Sequence, residues 1–241
     1  MTPSTTKSSS KLICIHPVPA HLSTREYAVK LEAALDAVLS IPICRENFIS
    51  HEIMIPNGHG QFDSYFKPLG FEAPQPVIIV KSECKTADHL MQIVEDPEVI
   101  KLISGEEFSG ASVFTADETI RLDARSSDTC DGSYAIVLKC PPDSSAAEFH
   151  EKCLKNGDEI LKSPAFQQNV VKHATWIKNE ALASHVQPLG LFSAEPLVIV
   201  LVQSSLDRMT TMLKESEANP YIAPKDNALK NRFGVDVVVK L

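Results

Sequence analysis

Residues 47–57 read Asn-Phe-Ile-Ser-His-Glu-Ile-Met-Ile-Pro-Asn, and residues 169–179 read Asn-Val-Val-Lys-His-Ala-Thr-Trp-Ile-Lys-Asn. Both begin and end on Asn, and both carry His at the fifth place and Ile at the ninth. Both are rich in β-branched and aromatic residues, as strands are. The match runs outward from there. At an offset of 122 residues, positions 14–57 fall on 136–179, and 11 of the 44 pairs are identical. Among them are Ser23/Ser145, Glu26/Glu148, Asp36/Asp158, Pro42/Pro164, His51/His173 and Asn57/Asn179. The offset then becomes 120. Pro68-Leu69-Gly70 recurs as Pro188-Leu189-Gly190, and the apolar run 76–80 recurs as 196–200. A repeat of this kind has to be found before any fold is assigned, and it marks a duplicated unit.

Each copy has the same order of elements. A strand is predicted at 12–16 and again at 134–138. A Pro-containing turn follows, then an S-x-x-E capping box: Ser23 with Glu26, and Ser145 with Glu148. Tyr27, Leu31, Ala34, Leu35 and Val38 form an apolar stripe at helical spacing, and Phe149, Cys153, Ile160 and Leu161 form a weaker one. Pro42 and Pro164 are read as ending these helices, with the quoted strands starting at Asn47 and Asn169. A short amphipathic segment follows at 61–66 or 181–186, broken by Pro-Leu-Gly. The runs 76–81 and 196–202 are continuously apolar, as strands buried on both faces are. Second helices are predicted at 86–94 and 206–215, and last strands at 112–122 and 235–241.

This order is β-α-β-β-α-β, the ferredoxin-like split βαβ unit, and the fold class is α+β. The first repeat covers 11–123, a polar linker 124–132, and the second repeat 133–241. Residues 1–10 are rich in Ser and Thr and are predicted to be disordered. A four-stranded sheet with helices on one face leaves its other face bare. Two such sheets in one chain cover each other, so the expectation is a closed α/β barrel with its helices outside, an intramolecular pseudo-dimer.

Composition narrows the function. A formal charge of −8 disfavours nucleic acid and gives no attraction to anionic membranes. The six cysteines contain no C-x-x-C pair, and none recurs in both copies, which argues against a disulfide framework or a zinc site. Thiols in a reducing compartment are expected. The first residues are polar with no apolar core, so no secretory signal is read, and no run of about 18 apolar residues suggests a membrane span. A cytoplasmic protein is expected. No G-x-G-x-x-G, P-loop, G-x-S-x-G or H-E-x-x-H pattern occurs, so nucleotide, dinucleotide and zincin chemistry have no motif behind them. No cofactor and no metal is expected.

The doubled order of elements resembles the dimeric α/β barrel superfamily. Within it, the strings 34–42, 68–77 and 96–102, together with His51, resemble the EthD-like and stress-responsive barrel proteins common in fungi, which often occur in tandem copies. The resemblance implies one of several chemistries: cofactor-free cyclisation, quinol oxygenation, lactone isomerisation, aldoxime dehydration, haem chemistry, or no reaction at all.

The candidate residues follow from the repeat. By strand alternation His51 shares a face with Ile49, Ile53 and Ile55, and His173 shares one with Val171, Thr175 and Ile177. An imidazole on an apolar face can serve as acid or base near neutral pH, or can be a core histidine with its hydrogen bonds met. Tyr65 and His185 are equivalent at the offset of 120. The resemblance to cyclases that pair His with Tyr implies the couples His51 with Tyr65 and His173 with His185. Asn57 and Asn179 close the second strands, and Met54 and Trp176 lie on the face opposite the histidines, so these four are the candidate substrate-binding positions. The expected function is a cofactor-independent lyase, cyclase or isomerase acting on a small, largely apolar carbonyl metabolite. The alternatives are a ligand-binding or stress-responsive barrel without turnover and a haem-binding or oxygen-using enzyme. A monomer or a homodimer is expected.

Overall fold

The computed structural model describes residues 9–57, 76–124, 132–191, 195–216 and 230–240. In the first half, β1 (Ser10–Pro17) leads to α1 (Thr24–Ser40), α2 (Pro42–Asn47), β2 (Phe48–Pro56) and β3 (Val77–Cys84). Then come α3 (Ala87–Glu95), α4 (Pro97–Ile103), a 3-10 turn (Glu106–Phe108) and β4 (Ser112–Asp123). The second half holds β5 (Gly132–Lys139), α5 (Ala146–Ile160), α6 (Pro164–Asn169) and β6 (Lys172–Asn179). It continues with α7 (Ala183–Val186), a 3-10 turn (Gln187–Leu189), β7 (Leu197–Ser204), α8 (Leu206–Ser216) and β8 (Lys230–Val239).

Both long helices start as expected. The Ser23 and Ser145 hydroxyls each accept the amide of the Glu three residues on, and that Glu carboxylate accepts the Ser amide in return. The stop signals differ from expectation. Pro42 and Pro164 open new short helices, each at the first helical position, where the missing N–H costs nothing. Asn47 and Asn169 therefore end helices and do not start strands. Their side-chain amides donate to the carbonyls four residues back, Ile43 at 2.9 Å and Ala165 at 2.7 Å. That shared role accounts for their recurrence. The helix α4 was not foreseen; Asp96 caps it by accepting from the amides of Glu98 and Val99. The Pro188-Leu189-Gly190 break is a 3-10 turn closed by Gly190 in the left-handed region, at φ 70°. Its first-half counterpart at 68–70, and the segment 61–66, lie outside the described residues.

The strands close into a barrel in the order β1-β3-β2-β8-β5-β7-β6-β4, and every pairing is antiparallel. Two of these pairings, β2 with β8 and β4 with β6, are seams between the halves. They close the barrel, as expected from two sheets covering each other.

Strand alternation divides the buried residues into three compartments. Ile13, Met54, Ile79, Phe114, Ala135, Ala174, Trp176, Ile199 and Leu201 fill the barrel interior. On the outside of the first sheet, Leu12, Ile53, Ile78 and Val80 pack under Leu31, Leu35 and Val38 of α1 and Leu90 and Ile93 of α3. On the outside of the second sheet, Tyr134, Ile136 and Val202 pack under Phe166 of α6 and Met209 and Met212 of α8.

The interior also holds a chain of charges. Lys81 donates to Glu52 at 2.8 Å, and its ammonium lies 5.4 Å from the centre of the Trp176 ring. Trp176 Nε1 donates to Glu118 at 2.8 Å, and Lys11 bridges Glu118 at 3.5 Å and Glu83. These side chains come from β1, β2, β3, β4 and β6. Each charged group of this chain has a partner, without which its burial would be costly. Trp176 is the fully buried centre of this interior. Trp176→Ala is expected to cost about 3–5 kcal/mol, more than Trp176→Phe, which forfeits mainly the bond to Glu118. Urea midpoints of the two variants check this, and equal midpoints would contradict it.

Candidate functional site

His51 and His173 both face outward, into the layers between sheet and helices, while Met54 and Trp176 face the barrel interior. The two pairs therefore occupy different compartments. The His51 face also differs in detail from the alternation reading. The ladder between β2 and β3 shifts register between Phe48 and Ser50. That bulge turns Ile49 out to solvent and leaves Phe48 beside His51, with ring centres 6.3 Å apart.

His51 is buried, and its Nδ1 lies 2.8 Å from the Ser82 hydroxyl across the β2–β3 pair. Its Nε2 is buried and has no hydrogen-bond partner. Burial pushes the imidazole down to about 4; Lys240 adds to this, and Asp36 and Glu52 oppose it. His173 sits edge-on to Phe166 at 5.6 Å, and its Nδ1 is buried without a partner. Burial again pushes it down to about 4, Arg121 adds to this, and Asp158 opposes it. Opposite His173 stands Val202 where Ser82 stands opposite His51, so the second imidazole has no hydroxyl to orient it.

The structure does not bring His173 and His185 together. His173 is near the start of β6, and His185 lies past its end on α7, where Nδ1 sits 2.7 Å from Glu95 of α3. Asn179 stands six positions along the strand from His173, roughly 20 Å at about 3.3 Å per residue. Tyr65 lies outside the described residues. Asn57 and Asn179 both serve the seams. Asn57 donates to Asp236 of β8 at 3.4 Å. Asn179 donates to Asp117 of β4 at 2.8 Å and accepts from the Thr115 hydroxyl.

A third buried imidazole has no repeated counterpart. His16 is wholly buried on the outer face of β1, edge-on to Phe108 at 5.6 Å, and neither ring nitrogen has a partner. Burial pushes it down to about 4. Its counterpart at the offset of 122 is Leu138, so searching for recurrence passes it over. The signal that would have found it is the contrast itself, a histidine where the other copy has an aliphatic side chain. The first layer thus holds three unpartnered imidazole nitrogens, two on His16 and one on His51.

The thiols of Cys14, Cys44 and Cys153 are pushed up to about 12, chiefly by burial, and stay protonated. Among the described residues no group of three or more His, Cys, Asp or Glu is arranged to hold a metal ion. No helix among them is long and apolar enough to cross a membrane.

The fold recurs in solved structures. A candidate monooxygenase from Lactobacillus acidophilus NCFM matches 97% of this chain and 96% of its own length, at 8% identity and a TM-score of 0.50. A candidate monooxygenase from Fusobacterium nucleatum matches 97% and 94%, at 7% identity and a TM-score of 0.51. An anthrone oxidase-like protein matches 96% and 92%, at 8% identity and a TM-score of 0.50. At such identities the likeness shows the architecture alone, an α+β barrel, and leaves the reaction open. No family model matches the chain, and no curated protein matches it.

The buried imidazoles carry a pH signature. The unfolded chain takes up their protons below about pH 6.5, and the native chain does so only near pH 4. Their contribution is whole above pH 6.5 and is lost as pH falls towards 4. Each shift corresponds to on the order of 3 kcal/mol, at about 1.4 kcal/mol per pKa unit. His16→Leu, which installs the second copy's residue, is expected to make the loss of stability between pH 7 and pH 4.5 shallower. Urea midpoints at the two pH values test this. An unchanged difference would mean that His16 protonates equally in both states.

Proposed function

We propose that the chain is a cofactor-independent enzyme of the lyase, cyclase or isomerase type. It acts on a small, largely apolar carbonyl compound, with the His51 imidazole moving the proton. The reading includes the finer ancestry, two ferredoxin-like copies of one duplicated unit of the EthD-like or stress-responsive kind.

The observation that carries it is the unpartnered Nε2 of His51. A buried polar atom normally has a partner, and one without calls for an explanation such as a ligand. Ser82 anchors the other nitrogen and fixes the plane of the ring. Burial keeps the imidazole unprotonated at neutral pH, which is the form that accepts a proton from carbon beside a carbonyl. Phe48 lies beside the ring, and the layer that the ring faces also holds Ile53 and Leu35, side chains that suit an apolar substrate. His173 lacks the anchoring hydroxyl, so the proposal puts the chemistry in the first half.

A binding protein without turnover is the second reading. It is favoured by the exposure of His51 and His173, 3% and 2%, which requires the helix layer to move before a ligand reaches either ring.

The test uses a small apolar 1,3-diketone in deuterated buffer, followed by NMR. The wild-type chain is expected to accelerate exchange of the proton between the carbonyls. His51→Gln is expected to lose about 100-fold or more of that acceleration, and the rate should fall as pH drops through about 4. Binding without exchange would favour the second reading. Exchange that survives His51→Gln would remove His51 from the mechanism. Oxygen consumption with the same compound would redirect the assignment towards the chemistry named for the solved structures of this fold.

A further inference from the structure

The last strands of the two halves repeat at an offset of 119, which places Phe114 with Phe233, Asp117 with Asp236 and Arg121 with Lys240. Each of these strands crosses a seam. β4 lies against β6 of the second half, and β8 lies against β2 of the first. The aspartates receive Asn179 and Asn57, as described above. The cations reach further, over the neighbouring helix. Lys240 lies 3.2 Å from both Glu32 and Asp36 of α1, and its amide donates to the His51 carbonyl at 2.9 Å. Arg121 donates to Asp158 of α5 at 2.7 Å, to the Thr175 hydroxyl at 3.1 Å and to the Leu154 carbonyl at 3.0 Å. Asp36 and Asp158 are themselves a repeated pair.

Two further features make the Arg121 seat a built one. The β4–β6 ladder shifts register between Ile120 and Leu122, and Leu122 pairs with His173. A bulge there aims a side chain that regular pleating would send elsewhere. Beneath the guanidinium lies Gly157, inside α5. A Cβ at that position would stand 3.2 Å from Arg121 Cζ and Nε. Glycine weakens a helix interior, and here its missing side chain is the space the guanidinium occupies. The Arg121 side chain is 7% exposed.

We infer that Arg121 and Lys240 are positioning residues, each supplied by one half of the chain to the imidazole of the other: Arg121 to His173 and Lys240 to His51. Arg121 ties β4, α5 and β6 into one frame around His173, because Thr175 lies on the same face of β6 two residues on. Lys240 ties β8 to α1 over His51. The inference rests on the reading that His51 is the working group, and it adds that each imidazole is held in place from the opposite half.

The test uses the full chain labelled with ¹⁵N in its histidines at pH 7, with resonances assigned through His51→Gln and His173→Gln. Arg121→Gln is expected to move the His173 ring resonances and leave those of His51 in place. Lys240→Gln is expected to do the reverse. Arg121→Lys keeps the charge and loses the fork, so it should bring His173 part of the way back. Gly157→Ala keeps Arg121 and displaces it by a few tenths of an ångström, so it should move His173 in the same direction by less. The inference is overturned if Arg121→Gln leaves His173 where it was, or if it moves both histidines alike through general loosening. The functional reading fails independently of this. If the crossed pattern holds while His51→Gln retains diketone exchange, the positioning stands and the proposed chemistry does not.

Discussion

Everything in this structure depends on two strand pairings, β2 with β8 and β4 with β6. Without them each half would expose an apolar sheet face and two unpaired edges, the kind of surface that recruits other chains. With them the bare faces become one interior and the edges disappear. Several of the residues found in both copies lie at these pairings, while Ser23, Glu26, Pro42, Asn47 and their counterparts serve helix ends. Asn57 and Asn179 bond across them, Asp36 and Asp158 receive cations from across them, and His51 pairs through its carbonyl with Lys240 beyond one of them. Recurrence in this chain thus records the demands of joining two halves as much as the demands of chemistry.

The closed barrel was legible because period-two and period-3.6 patterns survive in both copies, each supporting the other. Local punctuation was harder to read. Proline stops a helix and also starts one, and only the chain beyond Pro42 and Pro164 decides which. The opposition of His51 and Met54 could be read from alternation alone. Which of the two faced the interior could not, because both faces of β2 are apolar and both are covered. The couple of His173 with His185 failed to assemble for a different reason. Strand length sets their distance, and the likeness to proteins that pair such residues carries no distance at all. Arg121 was missed because its copy is a lysine at a third offset, 119, produced by unequal loop lengths.

The two halves share a frame and differ in what the frame holds. Under the first helix layer lie His16, His51 and Ser82; the equivalent places in the second hold Leu138, His173 and Val202. The second layer holds Arg121 and Thr175 instead, hydrogen-bonded to each other. The barrel interior belongs to neither half, and its charges run from Glu52 through Lys81, Trp176 and Glu118 to Lys11, joining strands of both. Buried ion pairs seldom add much net stability, but they penalise any register that leaves one of their members unpaired. Those pairs lie within the first half; Trp176 is the member from the second, and its bond to Glu118 and its place beneath Lys81 favour one alignment of the two halves.

β4 has a consequence of its own. It is a single strand of twelve residues whose first part pairs with β1 and whose later part pairs with β6. A boundary between halves would ordinarily be a place where one can melt while the other holds. Here the boundary runs through the middle of a single continuous strand. The two halves share a common wall, so loosening either one frays a strand on which the other relies, and the shared strand couples their unfolding.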